Sequence, residues 1–371
     1  MIACVLSAQP VSSEKSLILF DEDVRHIDLA ETTRATIQRN GGRVRAVIGV
    51  SGILADLTPA ALHEIAAISG IRVYRGNDAA DAARESDAET SLALTTWNRL
   101  REPASNTETG QRLSNDVQAN PRRVAGRFQL NTLSAGYQQH WEQTRRTLPP
   151  RLQRSSGIGC GSNGADYLDT SLYLAGDVAV GVFYVPSANP WTPALTASTF
   201  ADVVTALDEF IDIEPRARLT FTYVNEVNGT GNPLAKPPNE YDYVNDLRST
   251  YCTDWAFLID MSNGGPWPNA DYWGPALRMD RTFGWFHDVL RHETAHVFGA
   301  WDGYAPNGAP NGRFGYLNGT QGNACGQGGG YFSGAGDCLA DLMNGWDPVY
   351  GYNSRISVST AGQLGWSSEG D

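Results

Sequence analysis

His292, Glu293 and His296 are the residues of this chain whose types and spacing most directly suggest chemistry. They begin the run His292-Glu293-Thr294-Ala295-His296-Val297-Phe298-Gly299-Ala300-Trp301-Asp302, an HExxHxxGxxD pattern. On a helix, residues four apart share a face, so both imidazoles can be offered to one zinc ion. Glu293 stands beside them and can accept a proton from metal-bound water. Gly299 can leave the helix through a positive-φ turn that a Cβ would resist. That turn can swing Asp302 to a third ligand position, leaving a fourth for water.

Such a site needs a buried helix to hold it. In the residues leading to the motif, apolar side chains recur at 286, 289, 290 and 297, a helical spacing. Trp285, Val289, His292 and His296 form one stripe and Phe286, Leu290 and Val297 a neighbouring one. His287 precedes His292 by five residues, points elsewhere, and reads as a packing or supporting residue. The chain has six histidines and none follows His296, which excludes a third histidine downstream. The later carboxylates are Asp302, Asp337, Asp341, Asp347, Glu369 and Asp371, and only Asp302 has a short fixed spacing after a glycine turn. Asp302 is either a ligand or a structural residue such as a cap. Tyr304 lies close enough in sequence to assist an oxyanion or shape the pocket.

The fold class expected around this helix is α+β. Residues 16–77 read as strand (16–20), helix (28–40), two strands within 44–57, a helix entered at Thr58-Pro59, and a closing strand at 71–74. That βαββαβ order implies a small ferredoxin-like domain. Residues 78–130 are rich in Ala, Asp, Glu, Ser, Asn and Arg and read as a flexible linker open to processing. Residues 131–371 form the larger domain: strand 178–185, helix 198–211, strand 219–224, a short helix 243–250, strand 255–261, and an edge strand within 272–279. Residues 303–337, dense in Gly and Asn, read as an irregular surface loop, with Ca2+ binding through loop oxygens as the alternative.

The motif resembles the metzincin zinc metallopeptidases, in the variant where aspartate replaces the third histidine, as in snapalysin-like enzymes. Cys338-Leu339-Ala340-Asp341-Leu342-Met343-Asn344 resembles their methionine turn, with Met343 beneath the metal. Gly176-Asp177-Val178-Ala179-Val180, Asp302-Gly303-Tyr304, Gly315-Tyr316-Leu317 and Gln363-Leu364-Gly365-Trp366 extend the similarity to a set of bacterial and archaeal metzincin-like peptidases, over roughly residues 165–371. Thr294-Ala295 lacks a glycine often found before the second histidine, Gly303 replaces a common acidic residue, and no tyrosine follows the methionine turn two residues on. The resemblance implies a mixed twisted sheet plus an active-site helix, a Zn2+ cofactor and a protein or peptide substrate. It also implies an edge strand that pairs with extended substrate, for which Gly274-Pro275-Ala276-Leu277-Arg278 is the candidate. Residues 16–77, with Leu57-Thr58-Pro59-Ala60-Ala61-Leu62, resemble the propeptide inhibitor domains of subtilisins. An intramolecular prodomain, a linker and a protease make the arrangement of a zymogen.

Composition sets bounds on these readings. A hydrophobic content of 41% with ten tryptophans suffices for a large core in 371 residues. The net charge of −13 argues against nucleic-acid binding, and no apolar run is long enough for a membrane span. Residues 1–15 read as a tail, either the end of a truncated signal or an ordinary start. Of five cysteines, Cys160, Cys252, Cys325 and Cys338 can form two disulfides in an oxidising compartment, with Cys325–Cys338 the more plausible pair. The expected protein is a secreted or extracytoplasmic zinc endopeptidase. Two other readings are a catalytically silent binding protein of the same fold, and a protein whose N-terminal domain is a protease inhibitor. Retention of Glu293, which a purely structural metal site does not need, favours the enzyme.

Overall fold

A computed structural model describes residues 13–24, 27–76, 78, 81–82, 85, 87–101, 126–128, 167–168, 170–271, 274–284, 286–300, 343, 346–347, 351–352, 364 and 366–368. The N-terminal elements are β1 (Glu14–Phe20), α1 (Ile27–Arg39), β2 (Arg43–Ile48), β3 (Gly52–Leu57), α2 (Pro59–Ala66) and β4 (Ile71–Arg75). This is the expected βαββαβ order. Helix α2 starts where the sequence places it: the Thr58 hydroxyl accepts from the Ala61 amide at 3.1 Å and Pro59 opens the first turn.

The larger segment supplies β6 (Asp177–Tyr184), α4 (Pro193–Ile213), β7 (Thr220–Asn225), α5 (Glu240–Tyr251), β8 (Trp255–Ser262), β9 (Asn269–Ala270), β10 (Ala276–Asp280) and α6 (Phe286–Val297). All ten strands named so far except a short β5 (Gly126–Phe128) belong to one nine-stranded sheet, ordered β4-β1-β3-β2-β7-β6-β8-β10-β9. The N-terminal strands pair antiparallel among themselves. The β2–β7, β7–β6, β6–β8 and β8–β10 pairs are parallel, and β9 runs antiparallel at the end. The protein is thus a mixed α and β structure built on a mixed sheet.

Chain direction explains which side each helix takes. The crossover from β6 to β7 through α4 moves one way across the sheet, and the one from β7 to β8 through α5 moves the other. Right-handed crossovers of opposite travel place their helices on opposite faces. Alternate residues of β6 obey this division. Val178, Val180 and Val182 share a core with Phe200, Phe210 and Leu290, whereas Ala179 and Phe183 share one with Val244 and Leu247. Helices α1 and α2 cover the N-terminal strands through a separate core containing Ile18, Phe20 and Ile53.

Two sequence expectations change. Within the expected linker 78–130, residues 88–101 form helix α3 (Ala88–Arg101), with Leu92, Ala93, Leu94 and Trp97 buried in the main core. Few large apolar residues are present there, but they fall on one helical face and α3 packs on α4. Residues 126–128 of the same stretch are strand β5, paired with a C-terminal strand, Trp366–Ser368. The expected edge strand is also displaced: β10 is an inner strand flanked by β8 and β9, with Ala276 and Leu277 fully buried. The edge is β9. An apolar strand buried on both faces and an apolar edge strand read alike in sequence.

The two segments share one sheet through β2 and β7, where Ala46, Val47 and Ile48 lie opposite Phe221, Thr222 and Tyr223. A bulge supports this junction. Val44 opposes Ala55 and Ala46 opposes Leu54, so Arg45 is the extra residue and its side chain is re-aimed toward α4. Its guanidinium, 3% exposed, donates to Asp208 through Nε and Nη2 and to Asp212 through Nη1 and Nη2, all at 2.8 Å, and to Asp56 at 3.1 Å. Lys15 donates to Asp208 at 3.0 Å.

Burial alone would raise the Asp208 carboxyl pKa, but Arg45 and then Lys15 outweigh it and hold the group below its usual value. A carboxylate depressed in the folded state stabilises the fold above its unfolded pKa, about 3.9, and that stability is lost as pH falls through the folded value. The melting temperature is therefore expected to fall between about pH 5 and about pH 3, and less steeply in Asp208→Asn. Thermal unfolding across that range checks it; equal slopes in the two proteins would remove Asp208 from the account. Among the described residues no helix is long and apolar enough to cross a membrane.

Candidate metal centre

Helix α6 follows β10 after a short turn in which Asp280 accepts from the Thr282 amide and hydroxyl at 2.7 and 2.5 Å. Its residues from Asp288 to Val297 are all buried. Val289, Leu290, Ala295 and Val297 enter the main core, and Phe298, just beyond the helix, meets Phe257 edge-on at 5.8 Å. A buried charge pair fixes another side: Arg291 bonds Asp288 one turn back and pairs with Glu209 of α4. Burial pushes the Asp288 carboxyl up, to about 7, and the Arg291 guanidinium down, to about 9. His287 lies off the motif face, 3.7 Å from Asp202, in keeping with a supporting residue.

The two motif histidines converge. Their Nε2 atoms are 3.1 Å apart, with ring centroids 4.6 Å apart and planes at 83°. Two nitrogens bound tetrahedrally to one zinc at 2.0–2.1 Å would stand about 3.3 Å apart, so the spacing fits a shared cation. The other ring nitrogen of His296 strengthens the fit. Nδ1 lies 2.8 Å from the Ala300 carbonyl oxygen, a group that can only accept. The proton therefore sits on Nδ1 of the neutral ring, and Nε2 presents its lone pair toward His292.

The end of α6 aims that carbonyl. The Gly299 amide donates to the His296 carbonyl at 2.8 Å, and the Ala300 amide to the Ala295 carbonyl at 2.9 Å. Gly299 has φ +83°. These are the two bonds and the left-handed residue of a Schellman cap. The cap does more than end the helix, because it sets the acceptor that orients the His296 ring. Ser171 completes the terminus by donating to the Val297 carbonyl at 2.9 Å.

Glu293 is 7% exposed and sits between the histidines in sequence, inside the buried run of the helix. Met343 is fully buried in the core that also holds Val289, Leu290 and Ala295. Asp302 and Tyr304 lie outside the described residues, as do the 303–337 loop with its calcium alternative and the Gly315-Tyr316-Leu317 segment. Among the described residues, no third His, Cys, Asp or Glu joins the pair in a metal-holding group. Cys252 is disulfide-bonded, and the other four cysteines lie outside the described residues.

Sequence reasoning missed the Asp288–Arg291–Glu209 contacts and the Ala300 carbonyl. The first had a signal: Asp288 and Arg291 are opposite charges three apart, about one helical turn, just ahead of the motif. The second had none, since a backbone acceptor carries no residue identity. Comparison of the chain with protein-family models, curated proteins and solved structures finds no match.

Proposed function

We propose that the chain is a zinc-dependent endopeptidase of metzincin-like fold, with His292, His296 and Asp302 as metal ligands and Glu293 as general base. The convergence of the two Nε2 atoms at 3.1 Å, with His296 locked by the Ala300 carbonyl, is the observation that carries it. Bound zinc would acidify a water molecule and polarise the peptide carbonyl. Glu293 would take the proton from that water and hand it to the leaving amine. Asp302 would follow from the Gly299 turn, three residues upstream, and Met343 would underlie the site from the core. Tyr304 would assist the oxyanion or shape the pocket.

The edge strand β9 supports a peptide substrate. Among the described residues it is paired on one side only, by β10, and it packs near α6. An extended substrate can add there as a further antiparallel strand. The Cys252 disulfide supports an extracytoplasmic location. The N-terminal βαββαβ unit, in strand order β4-β1-β3-β2, supports the ferredoxin-like reading.

Metal analysis and casein cleavage test the proposal together. One zinc per chain is expected, with cleavage lost on chelation and restored by zinc. A zinc-loaded protein that leaves casein and unfolded peptides intact would favour the silent binding protein, and a chain that takes up no zinc would end both readings.

A further inference from the structure

Three helices lie side by side on the face of the sheet that carries the metal helix. Helix α3 packs over β1, α4 over β2 and β7, and α6 over β9 and β10. Helix α4 therefore stands between the N-terminal unit and α6. Helices α1 and α2 occupy the opposite face. Strand β2 is four strand spacings from β10, roughly 19 Å at about 4.8 Å each. On this layout the N-terminal unit supplies the end of the sheet remote from β9 and β10, on which α6 packs.

The unit is also built into the body it would have to leave. Leu19, Ile48, Leu54, Leu94 and Trp97 share one continuous core with β6, β7, α4 and α6. Separation would open the β7 edge and leave Asp208 and Asp212 without Arg45. Neighbouring residues of α4 link the two ends: Asp208 binds Arg45 and Lys15, and Glu209 pairs with Arg291, the residue before His292.

We propose that residues 14–101 are a permanent buttress of the catalytic body, not a releasable inhibitor, and that Arg45 is a positioning residue that steadies α6 through α4. The proposal rests on the peptidase reading for the role of α6, and it alters the zymogen expectation: removal of the N-terminal unit costs activity instead of releasing it.

Hydrogen exchange on the unaltered full-length chain in rising urea gives the first test. Peptides from β1–β4 and α3 are expected to lose protection at the same urea concentration as those from β6–β8. Loss of protection confined to the N-terminal unit at lower urea would overturn the proposal. The second test compares Arg45→Ala and Arg45→Lys for zinc affinity, by chelator competition, and for casein cleavage. Arg45→Ala is expected to bind zinc roughly three- to tenfold more weakly, the scale of coupling carried between distant positions by packed and ion-paired side chains, with part of that recovered in Arg45→Lys. Zinc affinity unchanged in Arg45→Ala, or cleavage faster than in the unaltered chain, would overturn it. Should Arg45→Ala not fold, the exchange result on the unaltered chain decides. Should the unaltered chain cleave nothing, the peptidase reading fails while exchange and zinc affinity still decide this one.

Discussion

Glu293→Gln is expected to lower peptide cleavage by about 10²–10⁴-fold while leaving one zinc bound per chain, the range that general acid–base catalysis supplies. The substitution keeps the shape of the side chain and its place on a buried helix, where Glu293 is 7% exposed. It removes only the capacity to take a proton. His292 and His296 stay one turn apart, and the Nδ1 contact of His296 to Ala300 is untouched. Metal content should therefore hold while turnover falls, a split that distinguishes a base from a ligand. Steady-state cleavage of a quenched peptide, paired with metal analysis of the same sample, reads both quantities. A Glu293→Gln protein cleaving within a few-fold of the unaltered chain would remove Glu293 from the mechanism. Loss of zinc along with activity would make it part of the metal's support instead.

Much of the candidate site was legible because its determinants are local. Four-residue spacing on a helix brings His292 and His296 together, and a glycine three residues past the second histidine forecasts the left-handed exit that Gly299 makes. The Thr58-Pro59 entry of α2 and the Thr192-Pro193 entry of α4 are local in the same way. The β2–β7 junction was not legible. It joins residues about 175 apart, and strand pairing leaves no mark on either strand alone. Arg45 illustrates the difficulty further. Strict alternation along β2 would set it on the same face as Val47, and only the bulge turns it toward Asp208 and Asp212. Helix α3 failed for another reason. Its small and polar residues, three Thr among them, blend with the linker-like composition of 78–130, and its apolar residues become meaningful only against α4. The common thread is range: signals within one turn or one cap survive in sequence, whereas pairings between distant segments do not.

Gly299→Ala is expected to weaken zinc binding by about 10–100-fold, although residue 299 touches no metal, the range found when a group behind a ligand is altered. At φ +83° an alanine is strained, at a cost of roughly 1–2 kcal/mol, and the chain can relieve it by rotating out of the left-handed region. Rotation breaks the bonds from the Gly299 amide to the His296 carbonyl and from the Ala300 amide to the Ala295 carbonyl. The Ala300 carbonyl then moves away from His296 Nδ1. The ring loses the partner that fixes both its proton and its orientation, so Nε2 no longer faces the cation by default. Asn tolerates this backbone region better than Ala, so Gly299→Asn should recover part of the affinity. A purely structural glycine would show a different pattern, with a lowered melting temperature in Gly299→Ala and zinc affinity unchanged. Chelator competition alongside thermal unfolding of the three proteins separates the two, because the His296 support is sensed by the metal and ordinary cap strain is not.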